Sequence, residues 1–519
     1  MESIDAEGQF SKTPTFLNGD GTQDGASYTS NLGGMTGESK RVWRFARQDG
    51  DREATRYLSA AAQFDVRYAE AVVRRVVNEQ FRALAPSYGA DVAAVTRWAV
   101  DSVRRRARRD IYLAIILIAG IVLAWLCRSR PLISVVSLAA AFLVAWVIVS
   151  LEQWVRIHQV IVKKMSPEAF DPTDAPESTY QWIRERIDSV PERRRGNLVV
   201  FRGERAFVGS GRRLSKEHIV IDVSHGRKAK GGKTQQPKPF TNIDVHRALI
   251  SAMRKIGFAD VWVEERLFVN GRHIKGSKDF LPHGETAPPA ASVSLELMRE
   301  AALHPTPDAR VYVCVEMPGW QGQLVVTLFV RAVHAGGLLY LEWEYYVLPP
   351  VRPEFLAINN LHGASPSNQL YRSCSWGTRK GAPALVKAPF AVLNDLWRIF
   401  DAKRRSARWE NVIRQGQGFD YGAVRSIRED ACGTSRLHYF LARDEIMYVL
   451  MSQQVLEREI RDFLRKHDVA LSEFDEQIGE IAKSTHKYYN IHIGNVSEST
   501  FAVGDKAQAK KGNTNRRDR

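Results

Sequence analysis

The sequence predicts a membrane protein with a two-helix transmembrane hairpin, an N-terminal helical arm and a C-terminal cytoplasmic α+β domain. Three observations predict it. Ile111–Cys127 and Pro131–Leu151 are uncharged apolar runs of 17 and 21 residues, parted only by Arg128, Ser129 and Arg130. Residues 41–110 carry apolar side chains at helical spacing among many arginines. Residues 180–485 alternate helix-like and strand-like stretches, the pattern of an α+β domain. The remaining pieces are a polar tail (1–40), a juxtamembrane helix and linker (152–179), and a β-repeat with a basic end (486–519).

At about 1.5 Å per residue the hairpin's first run spans roughly 26 Å, near the lower limit for a bilayer core, and the second is ample. Both exceed an ordinary core helix. Pro131 suits the first helical turn, where its missing N–H costs nothing. Six arginines precede the hairpin (Arg97, Arg104, Arg105, Arg106, Arg108, Arg109) and Arg156, Lys163 and Lys164 follow it, against two in the turn. That bias places both termini in the cytoplasm. Gly120 and Ala124, and Ser137, Ala141 and Ala145, recur every four residues and are candidate helix-packing positions, within the hairpin or between copies of it. No charged stripe lines either helix, which argues against an ion pathway.

The chain has 519 residues, 44% of them hydrophobic, and a formal net charge of +16. Much of the surplus is arginine beside the hairpin. Arg104, Arg105, Arg106, Arg108 and Arg109 are therefore candidates to face anionic lipid headgroups. Nucleic acid is not expected as a partner, because no recognition motif accompanies the charge. The four cysteines, Cys127, Cys314, Cys374 and Cys432, have neither metal nor redox spacing, so disulfides, zinc and other cofactors are not expected. The first apolar run begins past residue 110, so no cleavable signal peptide is expected.

Within the arm, Ala54, Tyr57, Leu58, Ala61, Phe64 and Tyr68 keep helical spacing, Ala85-Pro86-Ser87-Tyr88-Gly89 breaks it, and residues 90–109 resume it. Beyond the linker, helices are expected at 179–189, 243–256, 292–302, 390–400 and 439–465. Strands are expected at 198–201, 206–209, 218–223, 261–270, 310–316, 324–333 and 338–348. Ala335-Gly336-Gly337 is the clearest hairpin signal, and Pro349-Pro350 ends that strand.

No stretch carries a complete catalytic signature. Gly226–Thr234 looks like a phosphate loop, but its first glycine stands one residue too early. Gln235-Gln236-Pro237-Lys238-Pro239 also forbids the helix such a loop must open. Glu342 and Glu344 face one side of a strand, as paired acid–base carboxylates would. Leu341, Trp343 and Tyr345 alternate with them, which describes a strand with one wet face. The 13 histidines form no metal-spacing cluster.

The tail repeats itself. Ile491, Ile493 and Gly494 return ten residues later as Phe501, Val503 and Gly504, each copy alternating apolar residues before a turn. These six are candidate self-association residues through stacked β-arcs. The first copy resembles the RHIM-like amyloid signalling motifs of bacteria, with His492 where that core carries glutamine. More broadly, Ala54-Thr-Arg-Tyr-Leu-Ser-Ala-Ala-Ala62, Ala85-Pro-Ser87, Asn197-Leu-Val-Val-Phe201, Phe207-Val-Gly-Ser-Gly211, Arg266-Leu-Phe-Val-Asn-Gly-Arg272, Phe419-Asp-Tyr-Gly-Ala423 and Ser426-Ile-Arg-Glu429 resemble a family of uncharacterised actinobacterial membrane proteins. That resemblance implies a membrane hairpin with a cytoplasmic domain and no assigned activity.

The expectation is a membrane-anchored cytoplasmic sensor or interaction protein in signalling or a defence-like system, forming homo-oligomers through the hairpin or the tail. A membrane-tethered enzyme with a scattered site, or an oligomeric pore of hairpins, are the alternatives.

Overall fold

The computed structural model of the chain describes residues 52–190, 196–228, 234–258, 260–360, 365–433 and 439–494. These belong to the unit Ala46–Arg519, one of two into which the chain divides. Helix α1 covers residues 52–64 and α2 Val66–Val73, started by Asp65, whose carboxylate accepts from the Arg67 and Tyr68 amides. A π-helical turn, Arg74–Asn78, follows. Arg186 occupies the carbonyls of Val76 and Glu79 at its end, at 3.2 and 3.1 Å. Next come α3 (Val92–Leu126) and α4 (Pro131–Trp154), the latter extended by a π-helical stretch to Val162. After α5 (Gln181–Asp188), the order is β1 (Leu198–Phe201), β2 (Arg212–Asp222), α6 (Asn242–Met253), β3 (Trp262–Asn270), α7 (Leu295–Leu303), β4 (Ala309–Gly319), β5 (Leu324–Ala335) and β6 (Leu338–Leu348). Then follow α8 (Pro366–Arg414), α9 (Tyr439–Lys466) and α10 (Ser472–Gly494).

The six strands form one mixed sheet in the order β1-β3-β4-β5-β6-β2, parallel only between β1 and β3. The β5–β6 ladder runs to Ala335 opposite Leu338. Gly336 and Gly337 are thus a two-residue loop with φ of 61° and 78°, the left-handed pair that matches strand twist. Both edges are partly covered. Residue 423 hydrogen-bonds across β1, its amide donating to the Val200 carbonyl and its carbonyl accepting from Arg202. On β2, Gln477 brackets the Val220 amide and carbonyl, and Glu473 accepts from the Asp222 amide. Side chains of α10 therefore satisfy the last residues of this edge, at Val220 and Asp222, where another strand could otherwise pair.

One sheet face is apolar. Val313, Val315, Val326, Leu328, Leu341, Trp343 and Tyr345 pack under α6, α9 and α10, through Leu249, Met253, Leu456, Ile460 and Phe474. The opposite face carries Arg266, Tyr312, Phe329, Glu342, Glu344 and Tyr346. Phe207 lies on it, stacked at 4.1 Å on Phe329.

Four expectations are corrected. Residues 206–209 are a turn rather than a strand, because Phe207 is committed to the sheet face. The arm, expected as a small helical domain lying against the membrane surface, instead shares one core with later segments: Tyr57, Leu58, Tyr68 and Trp98 pack with Ile161, Phe170, Ile187, Phe355, Ile358 and Ile427. The helix expected at 390–400 begins 24 residues earlier, at Pro366 (390 − 366 = 24), and continues through Pro383 and Pro389. Residues 491–494, expected as a β-arc, carry helical backbone as the end of α10, while Phe501, Val503 and Gly504 lie outside the described residues.

Candidate membrane-facing site

Two helices are long and apolar enough to cross a membrane, and their most apolar windows have mean hydropathies of 2.0 and 2.7. Only 17% of each window is buried, whereas a core hairpin of the same composition would be enclosed. Ile115, Ile118, Leu132, Val135 and Leu143 point outward.

The seam between α3 and α4 is built from small residues. Gly120 lies against Ala141 and Ser137, and Ser137 and Ala141 are both buried. Ser134 donates to the carbonyls of Ala124 and Cys127, satisfying the end of α3 at the tight turn. Ala145 is fully buried but reaches beyond the pair, into a cluster with Leu113, Ala114, Leu385 and Ala388.

Leu385 and Ala388 belong to α8, a third helix against the hairpin. Gln369 meets His158 at 2.7 Å, and Thr378 accepts from the Trp146 indole at 3.2 Å. Gly377 and Gly381 abut Trp146 and Ser150, and a β-carbon on Gly377 would fall 1.9 Å from the Ser150 hydroxyl. Past Ala388 the helix returns to the arm, where Arg398 pairs with Glu70 and Ser406 accepts from Gln80 at 2.7 Å. Its other face leaves Val386, Phe390, Leu393, Trp397 and Phe400 exposed, steps of four, three, four and three residues that form one apolar stripe. Replacing Gly377 with leucine should separate α8 from α4, at a cost of about 1–3 kcal/mol for overpacking. Trypsin should then cut the detergent-solubilised protein after Arg379 faster than it cuts the native chain. Cleavage at the native rate would show that α8 is not held there.

The arginines beside the hairpin divide. Arg106 is buried and, with Arg156, donates to the Gln63 carbonyl at 3.1 and 3.4 Å. Arg105 reaches the Gln63 side chain. Two guanidiniums thus cap the end of α1, where unpaired carbonyls and the helix dipole favour cations. Arg104 lies over the Tyr180 ring and bonds Thr179. Arg109 pairs with Asp110 at 2.7 Å and Glu152 at 3.5 Å. Arg108 is exposed. Arg106 is thus corrected from a headgroup-facing residue to an internal cap.

On the sheet's polar face, Glu342 accepts from Tyr312 (2.7 Å), Tyr340 (3.0 Å) and Arg331 (3.1 Å), and Glu344 from Tyr346 (3.0 Å). Burial, then the Glu342 charge, raises the Tyr312 hydroxyl above its ordinary pKa. Both carboxylates are satisfied within the sheet. The basic loop at Gly226 is held on the α9–α10 turn, where Asp468 receives Lys238 at 2.9 Å. No group of three or more metal-ligating side chains occurs among the described residues.

The chemistry-bearing feature missed in the sequence is the small-residue face Gly377, Gly381, Ala384 and Ala388. Its spacing was a usable signal, but Pro383 and Pro389 argue against a continuous helix.

A pair of apolar helices long enough to cross a membrane, braced by a third and joined to a mixed-sheet domain, defines a class of candidate two-span protein. Within that class the chain belongs to the AbeC-like domain family, whose model matches residues 216–497, more than half of the sequence. The match begins inside β2 and takes in α8, so β1, the arm and the hairpin lie outside it. No curated protein and no solved structure matches the chain.

Proposed function

We propose that the protein is a membrane-anchored interaction protein of a signalling or defence-like system. In this reading α3 and α4 cross the cell membrane with both termini in the cytoplasm. The outward stripe of α8 rests in the cytoplasmic leaflet, as apolar faces of amphipathic helices do. The supporting observation is α8 itself. A single helix touches both apolar helices through Leu385 and Ala388, and its far end packs Ile413 into the core under β1 and β3. A shift at the membrane would therefore reach the sheet through one packed element rather than a loose linker. Partners are anionic lipids and further protein, including copies of this chain.

Topology tests this reading. In a Cys127→Ser background, a membrane-impermeant maleimide should label Ser129→Cys in intact cells, and label Glu204→Cys only after lysis. Labelling of Glu204→Cys in intact cells, or of Ser129→Cys only after lysis, would refute it.

A further inference from the structure

Where α8 leaves the hairpin and meets the π-helical turn of the arm, the two enclose a cavity of about 230 Å³. Arg74 and Arg82 reach it from the arm and Arg405 from α8, with Trp409 and Phe419 as an aromatic wall. Arg82 is half-buried, its guanidinium 5.6 Å from the Trp409 ring centre and 5.5 Å from that of Phe419. Neither Arg82 nor Arg74 has a side-chain hydrogen bond or ion pair among the described residues. The acid that could have answered Arg82, Asp420, is occupied by Arg202 at 3.6 Å and Arg272 at 3.4 Å. Glu79 is the acid on the wall, and Arg405 is paired with Asp401 at 3.0 Å. Burial, then the nearby Arg202 charge, lowers the Arg82 pKa below the ordinary arginine value, against the opposing pull of the Glu79 and Asp420 carboxylates. A half-buried guanidinium that no carboxylate touches gains from an anion that can reach it.

We propose that this cavity binds a compact phosphate-bearing anion through Arg82 and Arg74. The volume lies below the roughly 300–1,000 Å³ that drug-sized ligands fill, so it suits a phosphate or a phosphorylated headgroup rather than a nucleotide. Guanidinium is the group whose fork of donors matches phosphate oxygens, and the Trp409 and Phe419 rings attract the Arg82 cation to this wall. Ala402, Arg405 and Trp409 follow Phe400, the last residue of the outward stripe, by two to nine positions, or about 3–14 Å along the helix. The same chemistry could thus come from a lipid headgroup or from a soluble phosphate. The cavity stands whether or not α3 and α4 cross a bilayer. Only the lipid source rests on that reading.

The test uses the full chain in nanodiscs of neutral phosphatidylcholine, titrated with inorganic phosphate, and a second preparation containing phosphatidic acid. Saturable binding of inorganic phosphate, or a rise in melting temperature confined to the phosphatidic acid discs, supports the site, and which one occurs identifies the source. In either case Arg82→Ala should weaken the effect about tenfold or more, the equivalent of losing one hydrogen bond to a charged group. Arg82→Ala removes an aromatic partner and could disturb folding, so Arg74→Gln, an exposed position, is made beside it and should weaken the same effect at an unchanged ligand-free melting temperature. A response absent from both preparations, or undiminished in both variants, overturns the proposal.

Discussion

Replacing Phe207 with alanine should destabilise the full-length protein by about 3–5 kcal/mol, the range for emptying a buried aromatic site. The ring is stacked on Phe329 at 4.1 Å and meets the edges or faces of Tyr312 at 4.9 Å, Phe268 at 5.2 Å and Tyr346 at 5.4 Å. It is the one ring in this group that the sheet does not carry. The residues around it come from β3, β4, β5 and β6, so its loss leaves a hole spanning four strands that none can close by rotating a side chain. The arm loop also leans on this site, since Ala85 belongs to the same cluster. Phe207→Leu keeps part of the volume and should lose less. Denaturant unfolding in detergent measures both, and a loss below about 1 kcal/mol for the alanine variant would mean the ring is not the plug its contacts describe.

Phe207 also marks where sequence reasoning runs out. Ala206–Gly209 alternates like a strand, and nothing local says that its phenylalanine is spent on another element. The hairpin and the β5–β6 turn were legible because each is decided by its own residues: uninterrupted apolar length in one case, and two adjacent glycines between alternating strands in the other. Helix α8 was not legible over Pro366–Pro389. Its two interior prolines, Pro383 and Pro389, each remove a helical hydrogen bond and its glycines lower helix propensity. The cost is offset by close contact with Trp146 and Ser150, which is tertiary information. The first copy of the tail repeat failed in the opposite direction, because two-residue alternation over five residues is too short to outweigh continuation of a helix begun at Ser472. Strand order, with β2 crossing to the far edge, depends on which pairings bury most surface and leaves no local trace. Of the candidate site, the small residues of α3 and α4 could be read in advance. The inward turn of Arg105 and Arg106 could not, since it depends on where α1 ends.

Replacing Arg428 with methionine should cost about 2–5 kcal/mol and loosen the joint between the sheet and the arm. Arg428 is fully buried on a single helical turn, Ile427–Asp430, held by the Ser426–Glu429 capping box. One of its terminal nitrogens donates to the carbonyls of Gly322 (3.2 Å), Gln323 (3.1 Å) and Pro349 (2.9 Å), and the other meets the Cys432 sulfur at 3.1 Å. These carbonyls belong to the β4–β5 connection and the end of β6, where the ladder has stopped and no strand can pair them. Methionine keeps much of the volume but donates nothing, and each buried acceptor left unpaired costs about 1–3 kcal/mol. Lysine keeps the charge as a compact ammonium that cannot reproduce the planar fork, so Arg428→Lys should recover only part of the loss. The same turn places Ile427 in the core of the arm beside Phe355. Hydrogen exchange should therefore rise in α1 and α2 as well as at the strand ends, because one side chain ties both. Faster exchange at the strand ends alone, with the arm unchanged, would show that Arg428 serves the sheet and that the arm is held by its apolar contacts.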